Sequence, residues 1–186
     1  MTRAFLVLAL VLPAVPAAAQ QSGQAGLAVG APGSIGIIWH VSDAIAIRPD
    51  FSFSHTHSEG TSSVVTTDSW GAGFGASALF YTGKIHDNVR TYLTPRFGYA
   101  RTNASTRLSG AVTNPEQHQN SYSYSGAFGI QFTPTRRFSV YGEAGLQYST
   151  VDSTYKSAGP ITLSEGKTTN SQFGSRAGVG IVWYFN

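Results

Sequence analysis

Residues 177–186 read AGVGIVWYFN. Val179, Ile181, Trp183 and Phe185 fall on one parity, and Gly178, Gly180, Val182 and Tyr184 on the other. Alternation of this kind marks a strand whose two faces meet different environments. Chain ends of water-soluble domains are commonly frayed and polar, so an apolar terminus implies that something covers one face.

The opposite end of the chain fixes the compartment. MTRAFLVLALVLPAVPAAAQ (residues 1–20) carries a positive start at Arg3, a short apolar run from Ala4 to Leu12 and small residues at Ala17–Ala19. This is the pattern of a secretory signal peptide. Pro13 and Pro16 break the run before the roughly 20 residues that a membrane-anchoring helix requires. Residues 1–19 are therefore expected to be removed after Ala19, leaving residues 20–186 as a single exported domain. The sequence has no cysteine, which excludes disulfides and thiolate metal sites. Loss of Arg3 lowers the formal charge from +3 to +2. So small an excess does not point to nucleic acid as a partner.

Period-two alternation runs through the whole mature chain, and no segment has a helical period. Strands are predicted at Gln24–Ala31, Ser34–Val41, Ala44–His57, Thr67–Tyr81, Val89–Asn103, Asn120–Thr133, Phe138–Thr154 and Thr169–Phe185. The connectors Ser42-Asp43, TGKIHDN (82–88) and PTRR (134–137) are short. Between them come SEGTSSVVT (58–66), the polar run 104–119 and YKSAGPITLSEGKT (155–168), expected as long loops. Short and long connectors alternate, so short turns gather at one end of the sheet and long loops at the other.

One face of these strands carries Phe51, Phe53, Trp70, Phe74, Phe80, Phe97, Tyr124, Phe128, Ile130 and Leu146. The other carries Ser52, Gly71, Gly73, Gly75, Ser77, Thr94, Gly98, Ser123, Ser125, Gln131 and Gln147. The polar face is built from glycine and serine rather than lysine and glutamate, which suits a confined interior better than a solvated surface. Aromatic residues cluster near strand ends, at Trp39, Trp70, Phe80, Tyr122, Phe138, Tyr148 and Trp183, as membrane-interface girdles do. Several strands also exceed the usual 5–6 residues of soluble sheets. The expected fold is all-β: a closed antiparallel up-and-down transmembrane barrel with the large apolar side chains facing lipid. A soluble exported ligand-binding barrel is the opposing reading, but it would not place Phe51, Phe74, Phe97 and Phe128 outside.

The last strand, GVGIVWYF (178–185), resembles the C-terminal signal read by the outer-membrane assembly machinery, with Gly180 at the small position and Trp183 and Phe185 at the aromatic ones. It departs from that pattern in ending on Asn186 and in having Gly178 where a polar residue is usual. The mature chain as a whole resembles the small eight-stranded outer-membrane barrels, the broad family that includes the outer-membrane protein A and X types. The resemblance implies residence in outer-membrane lipid and passage through the assembly machinery. A chain that begins and ends in the periplasm needs an even number of strands. Six long strands follow Ala44, so residues 24–41 must supply two, divided at APGS (31–34), where Pro32 and Gly33 favour a turn.

The lumen of an eight-stranded barrel is just wide enough for side chains to fill. Arg48, Asp50, Arg96, Glu143 and Arg176 face inward at mid-height with Tyr92, Tyr141 and Gln147, and are expected to form a paired charge network that plugs the lumen. Glu143 with Arg176 is the favoured pair, because the hairpin joining their strands is expected to bring them level on the same face. An ion path lined by the same groups, giving a narrow porin-like channel, is the rival reading. His55 and His57 share a strand face and could reach one metal ion, although no third ligand is evident. Ser54, His57, Glu59 and Asp68 are the single cluster with hydrolytic residue types, and the spacing alone does not make a triad. No catalytic site, metal or cofactor is assigned. The expectation is a non-enzymatic barrel that serves envelope structure or, through its loops, surface recognition or adhesion.

Overall fold

The computed structural model describes residues 22–31, 33–59, 65–108, 115–158 and 163–185. The expected signal peptide and the tips of the long connectors lie outside these residues. Eight strands follow in order: β1 (Ala25–Ala31), β2 (Ser34–His40), β3 (Ile45–Glu59), β4 (Val65–His86), β5 (Val89–Leu108), β6 (Glu116–Thr135), β7 (Phe138–Ala158) and β8 (Leu163–Phe185). Each pairs antiparallel with its neighbour in sequence, and β8 returns to pair with β1, closing the barrel. Residues 24–41 do supply two strands. Gly33 sits between them at φ +56°, a left-handed backbone that glycine adopts without penalty.

The closing ladder answers the question posed by the terminus. Leu27 lies opposite Trp183, Val29 opposite Ile181 and Ala25 opposite Phe185. The outward parity of this ladder is exposed, whereas Val182, Tyr184 and Ala28 on the inward parity are buried. The same division holds around the ring. Phe51, Phe74, Phe97, Tyr124, Phe128, Ile130 and Leu146 project outward and are exposed, while Arg48, Asp50, Ser77, Tyr92, Thr94, Gln131 and Glu143 are buried inside. Outward rings touch along the wall, as Phe51 does Phe74 (centroids 5.3 Å apart) and Phe97 does Tyr124 (5.3 Å). These pairs extend the apolar belt across strand boundaries.

Two expectations are corrected. Strand extends into the runs 58–66, 104–119 and 155–168: β3 continues to Glu59 and β4 starts at Val65, β5 reaches Leu108 and β6 starts at Glu116, and β7 reaches Ala158 and β8 starts at Leu163. Their Ser, Thr and Asn residues resemble loop composition. They nevertheless pair across each hairpin, Ser58 with Thr67, Ser105 with Glu116 and Lys156 with Glu165, helped by side-chain contacts such as His118 with Asn103 (2.6 Å) and Lys156 with Glu165 (4.0 Å). At the other end, 82–88 and 134–137 also narrow. β4 runs to His86 through register shifts between Tyr81 and Gly83 and between Lys84 and His86, leaving Asp87-Asn88 as the turn, and Arg136-Arg137 forms the next one.

The wall is uneven in height. β1 and β2 have 7 residues each, whereas β8 has 23. At ~3.3 Å per residue and a tilt of about 40°, seven residues rise roughly 17 Å, short of the roughly 25 Å apolar band of such barrels. The six longer strands pass well beyond it. Above Trp70, Tyr122, Tyr148 and Phe173 their outward parity turns polar, with His57, Asp68, Asn103, Glu116, Asp152, Lys156 and Lys167. A band of apolar and aromatic residues is thus topped by a polar sheet standing clear of the bilayer.

The face assignment is tested directly by charge. Phe74→Arg or Ile130→Arg is expected to cost roughly 2–4 kcal/mol at mid-band, read as a lower urea midpoint for unfolding from vesicles. Ser77→Ala removes a buried hydroxyl that has no hydrogen-bond partner among the described residues and should leave the midpoint unchanged or slightly raised. Equal stability of Phe74→Arg and the parent would reverse the faces.

Candidate functional site

The lumen is filled in two layers. Nearest the short turns, Tyr184, Gln131, Tyr81 and His40 form a closed polar cluster. The Gln131 amide donates to Tyr184 Oη at 2.9 Å, Tyr81 Oη donates to Gln131 Oε1 at 2.7 Å, and His40 Nε2 lies 3.2 Å from Tyr184 Oη. His40 also stacks on the Tyr81 ring, with centroids 5.6 Å apart. Apolar Ile38, Leu79 and Val182 fill the remaining space and are almost fully buried. Most polar groups of this layer are paired with one another, His40 Nδ1 being an exception.

The charge network lies above it. Glu143, on β7, is its hub. Oε1 accepts from Arg48 Nη2 at 2.6 Å and from Tyr92 Oη at 3.0 Å, while Oε2 accepts from Arg176 Nη2 at 3.0 Å. Arg176 also donates to Ser125 Oγ at 3.4 Å. Asp50 and Arg96 make a second, two-point contact at 2.5 and 3.2 Å, and the Arg48 guanidinium lies over the Tyr141 ring, 4.8 Å from its centroid. The five charged residues named from sequence therefore come together as two groups. Arg176 is not level with Glu143, however. Gly178 is directly opposite Glu143 and Arg176 is opposite Gly145, so Arg176 reaches diagonally.

Local sequence explains how bulky groups fit. A Cβ at Gly129 would collide with the Tyr92 ring, one at Gly180 with the Tyr141 ring, and one at Gly75 with the Arg96 guanidinium. Glycines stand where large lumen side chains cross the barrel. The Arg48–Glu143 contact, spanning the lumen between β3 and β7, is invisible to sequence reasoning because no spacing links strands that do not pair. His40 was readable: it shares the inward parity of Gly36 and Ile38.

The remaining candidates separate. Ser54 is on the inward parity of β3, with its Oγ beside Gly71, whereas His57, Glu59 and Asp68 are on the outward parity. Adjacent strand positions of opposite parity point to opposite faces, so Ser54 and His57 do not form a nucleophile–base pair. His57 Nδ1 lies 2.5 Å from Asp68 Oδ1 and its Nε2 3.2 Å from Glu59 Oε1, all exposed on the polar sheet. His55 is not part of this contact. Among the described residues no three metal-ligating side chains converge. Trp183 and Phe185 project outward and are exposed, and Gly180 faces the lumen.

A closed eight-stranded ring, apolar outside and plugged inside, is the architecture of an outer-membrane protein, and residues 5–186 match the outer membrane protein beta-barrel domain. The chain belongs to that family. Solved structures show the same fold at low identity. A major outer membrane protein from Thermus thermophilus has TM-score 0.59 at 7% identity, covering 87% of this chain and 98% of its own. Ail, the attachment invasion locus protein of Yersinia pestis, has TM-score 0.50 at 14% identity, covering 89% and 100%. No curated protein sequence matches the chain. This outer-membrane barrel therefore sits in the outer-membrane lipid bilayer through its exposed apolar belt.

Two measurements probe these contacts. Glu143→Gln deprives the buried Arg48 guanidinium and the partly buried Arg176 of their carboxylate and is expected to destabilise the barrel by roughly 3–5 kcal/mol, seen as a lower urea midpoint; an unchanged midpoint would remove Glu143 as the hub. Hydrogen bonds donated to Asp68 and then to Glu59 raise the His57 pKa above 6.5, and the bond from His57 lowers that of Asp68. A raised folded pKa means that the His57 contribution is complete below the unfolded value and is lost as pH rises through the folded one. The Asp68 contribution is lost as pH falls through its depressed value, so the ion pair exists only between the two. NMR titration should find His57 titrating above 6.5, and Asp68→Asn should bring it down.

Proposed function

We propose that this barrel is a non-enzymatic outer-membrane protein whose work is done by the polar sheet above the bilayer, as a surface for recognition or adhesion anchored by a plugged stem. The observation that carries the reading is the height of β3–β8. Six strands continue far past the apolar belt, with ordered cross-strand pairs on a face that membrane anchoring does not need. The filled lumen weighs against the narrow channel, since Tyr92, Tyr184, Gln131 and His40 leave almost no exposed surface in the lower layer. Separation of Ser54 from His57 weighs against hydrolysis. Residues 1–19 serve as the export signal in this account, and Gly180, Trp183 and Phe185 as the recognition element for the assembly machinery.

Trimming tests it. Residues 57–68, 104–117 and 153–168 can each be replaced by Asn-Gly, because Thr56 faces Ser69, Asn103 faces His118 and Asp152 faces Thr169 across the hairpins and Asn-Gly favours tight hairpin turns. The trimmed barrel is expected to insert and to keep its heat-dependent gel mobility. Cells displaying it should adhere to immobilised extracellular-matrix glycoproteins no better than cells lacking the protein, while cells with the full barrel adhere. Equal adherence of trimmed and full barrels would reject the reading, and a large steady conductance of the parent in planar bilayers would establish the channel instead.

A further inference from the structure

Above the charge network the lumen opens into a cavity of about 420 Å³, lined by Arg48, Arg96, Arg176, Asp50, Glu143 and Tyr141 among others, within the size range of small-molecule sites. Three features of this cavity point to a ligand. Its charges do not cancel: three guanidiniums meet two carboxylates. Arg48 is about 95% buried, yet its Nη1 has no hydrogen-bond partner among the described residues. Arginine cannot discard its proton, so a buried donor of this kind is costly unless an acceptor reaches it.

The third feature is the uneven wall. The β1–β2 hairpin stops at Ala31 and Ser34, and both line the cavity. Beyond Phe51 on β3, and before Val179 on β8, neither strand has a hydrogen-bonded neighbour on the hairpin side. Outward Phe53 and Phe173 flank this stretch and are the most exposed of the barrel's large apolar side chains, at 74% and 70%. The opening therefore lies within the outer part of the apolar belt. Unpaired backbone is tolerated at membrane depth only where it borders protein or a hydrated cavity. A polar cavity joined to a gap in the wall meets that condition, and places the guanidiniums of Arg176 and Arg96, about a fifth exposed, within reach of groups arriving from the side or from above.

We propose that this cavity binds one oxyanion group, phosphate or carboxylate, through the accessible edges of Arg176 and Arg96, with buried Arg48 supplying the unbalanced positive charge behind them. Guanidinium groups match oxyanions in geometry and charge, and a single negative charge balances the network. The group can belong to a lipid headgroup entering through the gap or to a free solute entering from the polar end.

The test is calorimetric titration of inorganic phosphate into the full-length barrel folded in an uncharged sugar detergent at constant ionic strength. Saturable one-to-one binding is expected. Arg48→Gln balances the charges, and Gly178→Leu fills the cavity from a position whose Cβ would meet a single neighbour, Ala31 O, at 3.4 Å. Each variant should bind phosphate at least roughly tenfold more weakly. Should Arg48→Gln fail to fold, as judged by heat-dependent gel mobility, Gly178→Leu decides alone. Native mass spectrometry with phosphatidylglycerol against an uncharged glycolipid separates the sources. One retained phosphatidylglycerol that phosphate displaces assigns the site to a lipid headgroup, and phosphate binding with no retained lipid assigns it to a solute. No saturable binding of either, or undiminished binding in Gly178→Leu, would overturn the proposal.

Discussion

Hydrocarbon offers no partner to a backbone N–H or C=O, so a sheet that crosses a bilayer must close on itself. In this chain the closure is the ladder between Ala25–Ala31 and Val179–Phe185. The other features follow from it. The first and last strands must lie side by side, which requires an even number of antiparallel strands. The outer parity must be apolar along the height of the bilayer, which is why β8 carries Trp183 and Phe185 there. The inner parity must then hold everything polar, because no second sheet covers it.

Eight strands enclose a space that side chains can fill, and this barrel fills it unevenly. Near the turns the filling is tight, with Tyr81, Tyr184, Gln131 and His40 in contact and the Arg90 guanidinium over the Tyr81 ring. At mid-height it is ionic, and glycines opposite Tyr92, Tyr141 and Arg96 supply the room. Above the network, beside the short hairpin, it is incomplete. The lower two layers make a filled stem, and the upper one leaves a basic hollow beneath a tall polar sheet. Anchoring, plugging and exposure to the surroundings are thereby assigned to different heights of one continuous wall.

Much of this was legible in the sequence because a barrel wall has a strict period of two. The parity of Phe51, Phe74 and Phe128 against Ser52, Gly75 and Gln131 placed both faces, and Pro32-Gly33 divided the first hairpin. The height of the wall was not legible. Runs such as 104–119 lack the apolar alternation that betrays a strand, and their order comes from the partner across the hairpin, which composition does not record. Within the lumen the five charged residues could be placed on one face, but Arg48 meets Glu143 across a diameter and Arg176 reaches it on a diagonal, relations set by barrel shear rather than spacing. The grouping of Ser54 with His57 failed for the opposite reason: proximity in sequence hid a difference in parity.

The central claim is that residues of one parity touch lipid over a limited height. The chain has no cysteine, so single cysteines can be placed along β6 from residue 118 to residue 132, labelled with a small fluorophore and exposed to brominated lipids in vesicles. The account predicts strong quenching at 122, 124, 128 and 130, little at 123, 125, 127 and 129, and loss of quenching at 118 and 120, where the strand has left the bilayer. Strong quenching on the odd positions, or no alternation at all, would contradict it.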